Sequence, residues 1–225
     1  MVCLGGDFDW LCLDVAAETE ALRSMNGLLD IICGIAWSIA YVISIFRGFR
    51  RKTWCIPGLS ICMNFAWELS VVIERISNGT ADRQAFVIQF VWLILDFGII
   101  TTWLIYDKAG KCRFKRNLIQ FITVFIAVYF IARVAGQWKF SVFLINVLMS
   151  GDFIARLKKD HSPWTSHLVA ITKLIGTLAA TVLNGFIYFD TIVLWLGGIC
   201  FLLDAYYLFL LFKLKKECFL WINNS

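Results

Sequence analysis

The fold of this chain is decided by one short stretch of sequence, Ile61-Cys62-Met63-Asn64-Phe65-Ala66-Trp67-Glu68-Leu69-Ser70. This stretch places the ionisable carboxyl of Glu68 inside an apolar run that is long enough to cross a lipid bilayer. A carboxylate at membrane depth is costly unless it is paired, solvated or protonated. At helical spacing Asn64 and Glu68 share one face, and Trp67 lies beside it. Glu68 is therefore a candidate functional residue.

The composition is that of an integral membrane protein. Of the 225 residues, 60% are hydrophobic and 16% are charged, which is too apolar for a soluble domain of this length. A helix needs about 20 apolar residues to cross the hydrocarbon core of a bilayer. Seven runs are of this kind, the fifth being the shortest: 25–46, 54–76, 86–106, 117–136, 140–157, 165–188 and 191–212. The sequence therefore predicts an all-α fold, a single bundle of seven transmembrane helices.

Basic residues indicate how this bundle is oriented. Most of the 21 Lys and Arg residues follow the first, third, fifth and seventh predicted spans. By the positive-inside rule the amino terminus is then lumenal and the carboxyl terminus cytosolic. We expect an acidic lumenal arm (1–24), a membrane domain (25–213) and a short cytosolic tail (214–225). Because the net charge of +5 reflects this topology, no nucleic-acid partner is expected.

Three of the further charged residues inside predicted spans are candidates for a role in the membrane interior. Asp96 shares a helical face with Trp92, and it either joins two helices by hydrogen bonds or belongs to a pocket. Asp204 lies in the seventh span, three residues before the aromatic ring of Tyr207. Lys173, in the sixth span, is either the counter-ion of a buried acid or a functional cation.

The eight cysteines show no pattern typical of a metal site. They include no CxxC pair and have no His nearby at ligand spacing, so we expect no bound metal and mostly free thiols. Cys3 and Cys12 could form a disulfide in an oxidising lumen. Asn78-Gly79-Thr80 is a glycosylation sequon on the predicted lumenal side.

Buried acids beside aromatic rings are suited to acid-initiated carbocation chemistry. A carboxyl in a medium of low dielectric resists ionisation, and in its protonated form it can act as a general acid. Aromatic faces stabilise a developing cation by roughly 0.5–2 kcal/mol each, and a membrane-enclosed pocket excludes water. Proton transport also uses buried acids, so the residues alone leave both functions open.

Three segments resemble motifs of a known family. Asn64-Phe65-Ala66-Trp67-Glu68 and Asp204-Ala205-Tyr206 resemble the small integral-membrane terpene cyclases of fungal meroterpenoid and indole-diterpene biosynthesis, such as the paxilline-type cyclases. Lys173-Leu174-Ile175-Gly176 is similar to a basic-x-x-Gly stretch of that family. The likeness covers nearly the whole chain.

This resemblance implies a metal-independent terpene cyclase, of isomerase or lyase type and without a cofactor, that protonates the terminal epoxide or alkene of a prenylated substrate. Glu68 and Asp204 would be the catalytic acids, with the proton donor among them undecided. It also implies a lipophilic, epoxidised substrate, coupling to an epoxidising monooxygenase, surrounding membrane lipid, and residence in the endoplasmic reticulum. Five further residues are expected to line the substrate pocket: Asn64, Trp67, Trp92, Asp96 and Tyr207.

Three alternative functions make different demands on the sequence. A photoreceptor or pump of the microbial rhodopsin type needs a Schiff-base lysine in the seventh span, where this chain has Leu208. A small proton or solute transporter predicts repeat symmetry or broken helices, and the chain has only two prolines, Pro57 and Pro163. A structural subunit predicts that Glu68 and Asp204 can be replaced by their amides. The motifs favour the cyclase.

Overall fold

A computed structural model describes residues 8–79, 83–107, 113–131, 138–160 and 166–224. Every regular element within these ranges is a helix, which confirms the predicted all-α fold. A short π-helix, Val182–Ile187, continues the sixth helix. The seven α-helices are α1 (Phe8–Arg51), α2 (Gly58–Asn78), α3 (Arg83–Tyr106), α4 (Arg113–Tyr129), α5 (Trp138–Asp160), α6 (His167–Thr181) and α7 (Thr191–Asn224).

Five helical segments of the described chain are long and apolar enough to cross a membrane: Ser24–Arg51, Phe86–Tyr106, Trp138–Lys159, His167–Ile187 and Thr191–Leu214. They establish an integral membrane protein. Within the described part of α4 the apolar segment is Leu118–Tyr129, which is shorter than the about 20 residues that a bilayer requires. The count of seven spans and the orientation of the termini therefore stay predictions.

The helix that carries Glu68 is largely enclosed by protein. It packs against α3, α4 and α5, and its residues 60–68 and 70–72 are buried. Because protein surrounds this helix on several sides, it can hold polar side chains that a lipid-facing helix could not. Helix α2 is not among the five segments above.

Five other helices complete a ring that includes α2. Helix α1 packs against α3 and α6, α6 packs against α7, and α7 packs against α5. Since α3 and α5 both contact α2, these six helices surround a common interior, while α4 lies outside the ring against α2. The ring brings side chains from α1, α2, α3, α5, α6 and the π-helix to one cavity.

The first and last helices extend beyond the predicted spans. Helix α1 already begins at Phe8, inside the predicted arm, and α7 continues to Asn224 through the predicted tail. The side chains of Cys3 and Cys12 and the Thr80 of the sequon lie outside the described part of the chain. Among the described cysteines, Cys33, Cys55, Cys62 and Cys200 are free thiols.

Candidate functional site

A cavity of about 170 Å³ lies inside the ring of helices. Four of the predicted site residues line it, and the described parts of α4 and α7 contribute no lining residue. Its walls comprise Asp30, Cys33, Trp37 and Tyr41 of α1, Asn64, Trp67 and Glu68 of α2, Ile88, Gln89 and Trp92 of α3, Val142, Phe143 and Asn146 of α5, Ala180 of α6, and Leu183 and Asn184 of the π-helix.

Glu68 is the buried acid of this cavity. Its side chain is 2% exposed, and its Oε2 atom has no hydrogen-bond partner among the described residues. A buried carboxyl oxygen normally has such a partner, so an unpartnered one at a cavity wall is available to a bound molecule. The helical spacing of α2 places Asn64 one turn before Glu68 on the same wall.

The side-chain amide of Asn64 connects α2 to α1 and α3. Its Nδ2 donates one hydrogen bond to the Tyr41 hydroxyl at 2.7 Å and another to Asp96 Oδ2 at 2.9 Å. Asp96 is fully buried and does not line the cavity. Of the two roles left open for Asp96, the structure therefore has the hydrogen bond between helices, through which Asp96 holds the Asn64 amide in place.

Aromatic rings form much of the cavity wall. Trp37 and Tyr41 meet edge to face with ring centroids 5.6 Å apart, and Tyr41 meets Trp92 in the same manner at 6.5 Å. The indole N–H groups point away into hydrogen bonds: Trp67 donates to Ser141 Oγ at 3.1 Å, and Trp92 donates to Ser38 Oγ at 3.2 Å. With these polar edges satisfied, the rings offer their π systems to the cavity.

Asn146 is a wall residue that the sequence analysis did not single out. Its Nδ2 donates to the Val142 carbonyl at 3.2 Å, which fixes the amide so that its oxygen is the free atom. That oxygen and Oε1 of Gln89 are buried without a partner among the described residues. A lone Asn within the apolar run of α5 at membrane depth was the signal that could have identified it.

Asp204 lies apart from the cavity in a buried ion pair. Lys173 Nζ is 2.7 Å from each carboxylate oxygen of Asp204, so Lys173 is the counter-ion of a membrane-buried acid. Ser150 Oγ also donates to Asp204 Oδ1 at 2.6 Å, and both charged side chains are buried. No group of three or more His, Cys, Asp or Glu in the described ranges is placed to hold a metal ion.

The Lys173–Asp204 pair is connected to the cavity through Trp37. The Lys173 ammonium lies 5.7 Å from the centroid of the Trp37 ring, and a Cβ atom at Gly176 would lie 2.6 Å from Trp37 Cδ1. Both ends of the Lys-x-x-Gly stretch therefore contact Trp37. The Lys173 ammonium lies over its ring, and the ring occupies the space that a side chain at Gly176 would fill. Tyr207, also predicted to line the site, packs against Phe153 at a centroid distance of 5.3 Å and lies outside the lining.

Comparison with known proteins identifies the family. Residues 14–217 match the Pyr4-like transmembrane terpene cyclases. The chain belongs to this family. It is 22% identical to the terpene cyclase pyr4 of Aspergillus fumigatus, over 91% of this chain and 94% of that protein. It is also 27% identical to the Pyr4-family terpene cyclase mfmH of Annulohypoxylon moriforme, over 70% and 59% of the two chains. For the terpene cyclase dpchB of Colletotrichum higginsianum the identity is 25%, over 73% of each chain.

Membership of the Pyr4-like family confirms the resemblance on which the sequence analysis relied. The matched region contains every residue of the cavity wall and the Lys173–Asp204 pair. The chain is thus a membrane-embedded enzyme of the terpene cyclase type, which favours cyclisation over transport or light sensing.

Proposed function

We propose that this enzyme cyclises the isoprenoid chain of a lipophilic substrate by an acid-initiated carbocation reaction, with Glu68 as the proton donor. The observation that carries this proposal is the unpartnered, buried Oε2 of Glu68 at the wall of an aromatic cavity. The substrate class that we infer is a prenylated polyketide or indole with a terminal epoxide or alkene, cyclised without a metal.

The proposed reaction conserves atoms. The Glu68 carboxyl gives its proton to the epoxide oxygen or the terminal alkene, and the epoxide C–O bond opens or the alkene π bond breaks. The resulting carbocation is attacked by internal double bonds of the same chain, which forms the ring C–C bonds. Loss of one proton from the last cation balances the proton delivered at the start, so the product is an isomer of the substrate.

The two candidate acids differ in what surrounds them. Glu68 has no ion-pair partner among the described residues, whereas Asp204 is held by the Lys173 ammonium at 2.7 Å. The Lys173 ammonium contacts both carboxylate oxygens of Asp204, whereas Oε2 of Glu68 is left for a bound molecule. This contrast supports Glu68 as donor and assigns Asp204 a positioning role.

Asp204 would act through its neighbours. By neutralising Lys173 it makes burial of that ammonium tolerable, and Lys173 in turn lies over the Trp37 ring that lines the cavity. A fixed Trp37 ring can stabilise a carbocation by roughly 0.5–2 kcal/mol. The Asp204 carboxylate therefore supports the reaction without touching the reacting atoms.

The setting follows from the substrate chemistry. A terminal epoxide has to be made by an oxidation that a cyclase does not perform, so we propose functional coupling to an epoxidising monooxygenase. We place the protein in the endoplasmic reticulum membrane, where its lipophilic substrate can partition into the bilayer.

The test is an incubation of microsomes that contain the protein with a phenol and an indole that carry an epoxidised farnesyl chain. Cyclisation gives a new product of unchanged mass. Because general acid catalysis contributes about 10²- to 10⁴-fold, Glu68→Gln should lower its formation by at least about 100-fold. Glu74→Gln, the same change on the same helix outside the cavity, is the matched control. Full activity of Glu68→Gln would refute the proposal.

A further inference from the structure

The cavity around Glu68 is too small for the whole substrate of the proposed reaction. It measures about 170 Å³, whereas pockets for drug-sized molecules measure about 300–1,000 Å³. A prenylated aromatic compound belongs to that size class. Part of its isoprenoid chain must therefore lie outside this cavity.

An apolar groove, here called the lateral groove, lies directly beside the cavity. It measures about 590 Å³ and runs between α1 and α3 on the outside of the bundle. Its apolar side chains are largely exposed, with Ile35 and Val87 each 57% exposed. The polar residues Arg83 and Gln84 line it near the start of α3, so the groove is apolar along its length and polar at one end.

The lateral groove and the cavity share one lining residue. Ile88 lines both spaces. Opposite it, Gly34 of α1 is so close that a Cβ atom there would lie 3.1 Å from Ile88 Cδ1. Ser38 of the groove also accepts the hydrogen bond from Trp92 of the cavity.

A second groove is also lined mainly by apolar side chains, so an apolar lining alone does not distinguish the lateral groove as a substrate site. It measures about 660 Å³ and lies between the same two helices, lined by residues that include Val42, Phe46 and Leu95. None of its described lining residues lines the cavity. The lateral groove is distinguished by its continuity with the cavity.

We propose that the lateral groove binds the isoprenoid chain of the substrate, and that this chain passes from the bilayer into the cavity between α1 and α3, past Ile88. This inference rests on the proposed function, which supplies a substrate with such a chain. A chain held here lies in a groove that faces lipid along an exposed apolar wall, and its reactive end reaches the Glu68 side of Ile88.

The direct test is photolabelling with a farnesol that carries a diazirine in the middle of its chain, in liposomes that contain the full-length protein. We expect labelled peptides to map to residues 31–39 and 83–91. Ile35→Trp, which fills the lateral groove, should lower labelling there about tenfold, a change of about 1.4 kcal/mol. Val42→Trp, the matched change in the second groove on the same helix, should leave it unaltered.

The result that would overturn the proposal is labelling spread evenly over the exposed faces of the helices, or labelling that Ile35→Trp does not change. Correct folding of both variants is checked by their thermal unfolding in detergent. Selective groove labelling without cyclisation of any epoxide would contradict the proposed function and leave the binding site standing. Cyclisation that is unaffected by Ile35→Trp would contradict the lateral route and leave the proposed function standing.

Discussion

The ammonium of Lys173 lies 2.7 Å from both carboxylate oxygens of Asp204, and this pair joins α6 to α7 inside the membrane domain. Both side chains are nearly inaccessible to solvent. A buried ion pair contributes little net stability, but removal of one partner leaves an uncompensated charge in a medium of low dielectric. The stability of the protein should therefore fall when one residue of the pair is replaced, and fall much less when both are replaced together.

Asp204→Asn and Lys173→Met should each destabilise the protein by about 3–5 kcal/mol. The first change leaves the buried Lys173 ammonium without its partner, and the second leaves the buried Asp204 carboxylate without its partner. The double variant should regain most of this stability and part of the cyclase activity. Thermal unfolding in detergent and product formation in microsomes provide the two readouts. A double variant that is stable but wholly inactive would show that Asp204 takes part in the chemistry itself.

Gly176→Ala should impair cyclisation without unfolding the protein. The new Cβ would lie 2.6 Å from Trp37 Cδ1, so the indole has to move away from its position in the cavity wall. We expect a lower kcat or a changed ratio of cyclic products, measured by chromatography and mass spectrometry. Gly198→Ala is the control, since a Cβ atom there meets nothing within 4 Å. Equal effects of the two changes would contradict a specific role for Gly176.

Asn64→Leu should lower the unfolding temperature more than Asp96→Asn does. Loss of the amide removes both hydrogen bonds and leaves the buried Asp96 carboxyl without this donor, at a cost of about 1–3 kcal/mol. Asp96→Asn keeps an oxygen that can still accept the bond from Asn64, so its effect should be smaller. Differential scanning fluorimetry of the two variants gives the comparison, and the reverse order would contradict the hydrogen-bond arrangement described above.

Asn146→Leu should weaken substrate binding while the chemical step continues. The Asn146 oxygen can accept a hydrogen bond from a hydroxyl or N–H group, and loss of one such bond corresponds to up to about a tenfold rise in KM. The phenol and indole probes that test cyclisation also measure this effect. Asn26→Leu is a fitting control, because Asn26 also has a buried, unpartnered oxygen but does not line the cavity. A rise in KM of the same size in both variants would contradict a binding role for Asn146.

The helical fold could be predicted because it depends on local composition. In lipid every backbone polar group needs a partner within the protein, so long apolar runs form helices. The same local geometry correctly grouped Asn64, Trp67 and Glu68, since residues three and four apart share a helical face. It could not show that α2 would be enclosed by other helices.

The sequence by itself determined an all-α membrane protein, its family and the position of a buried acid at Glu68. Only the tertiary structure decided which other residues share the cavity with that acid. Asp204 and Tyr207 lie on α7, which turns them toward Lys173 and Phe153, while Trp37 and Asn146 from α1 and α5 reach the wall. The physical reason is that helical periodicity specifies which side chains share a face. The partner of that face is specified only by how whole helices pack.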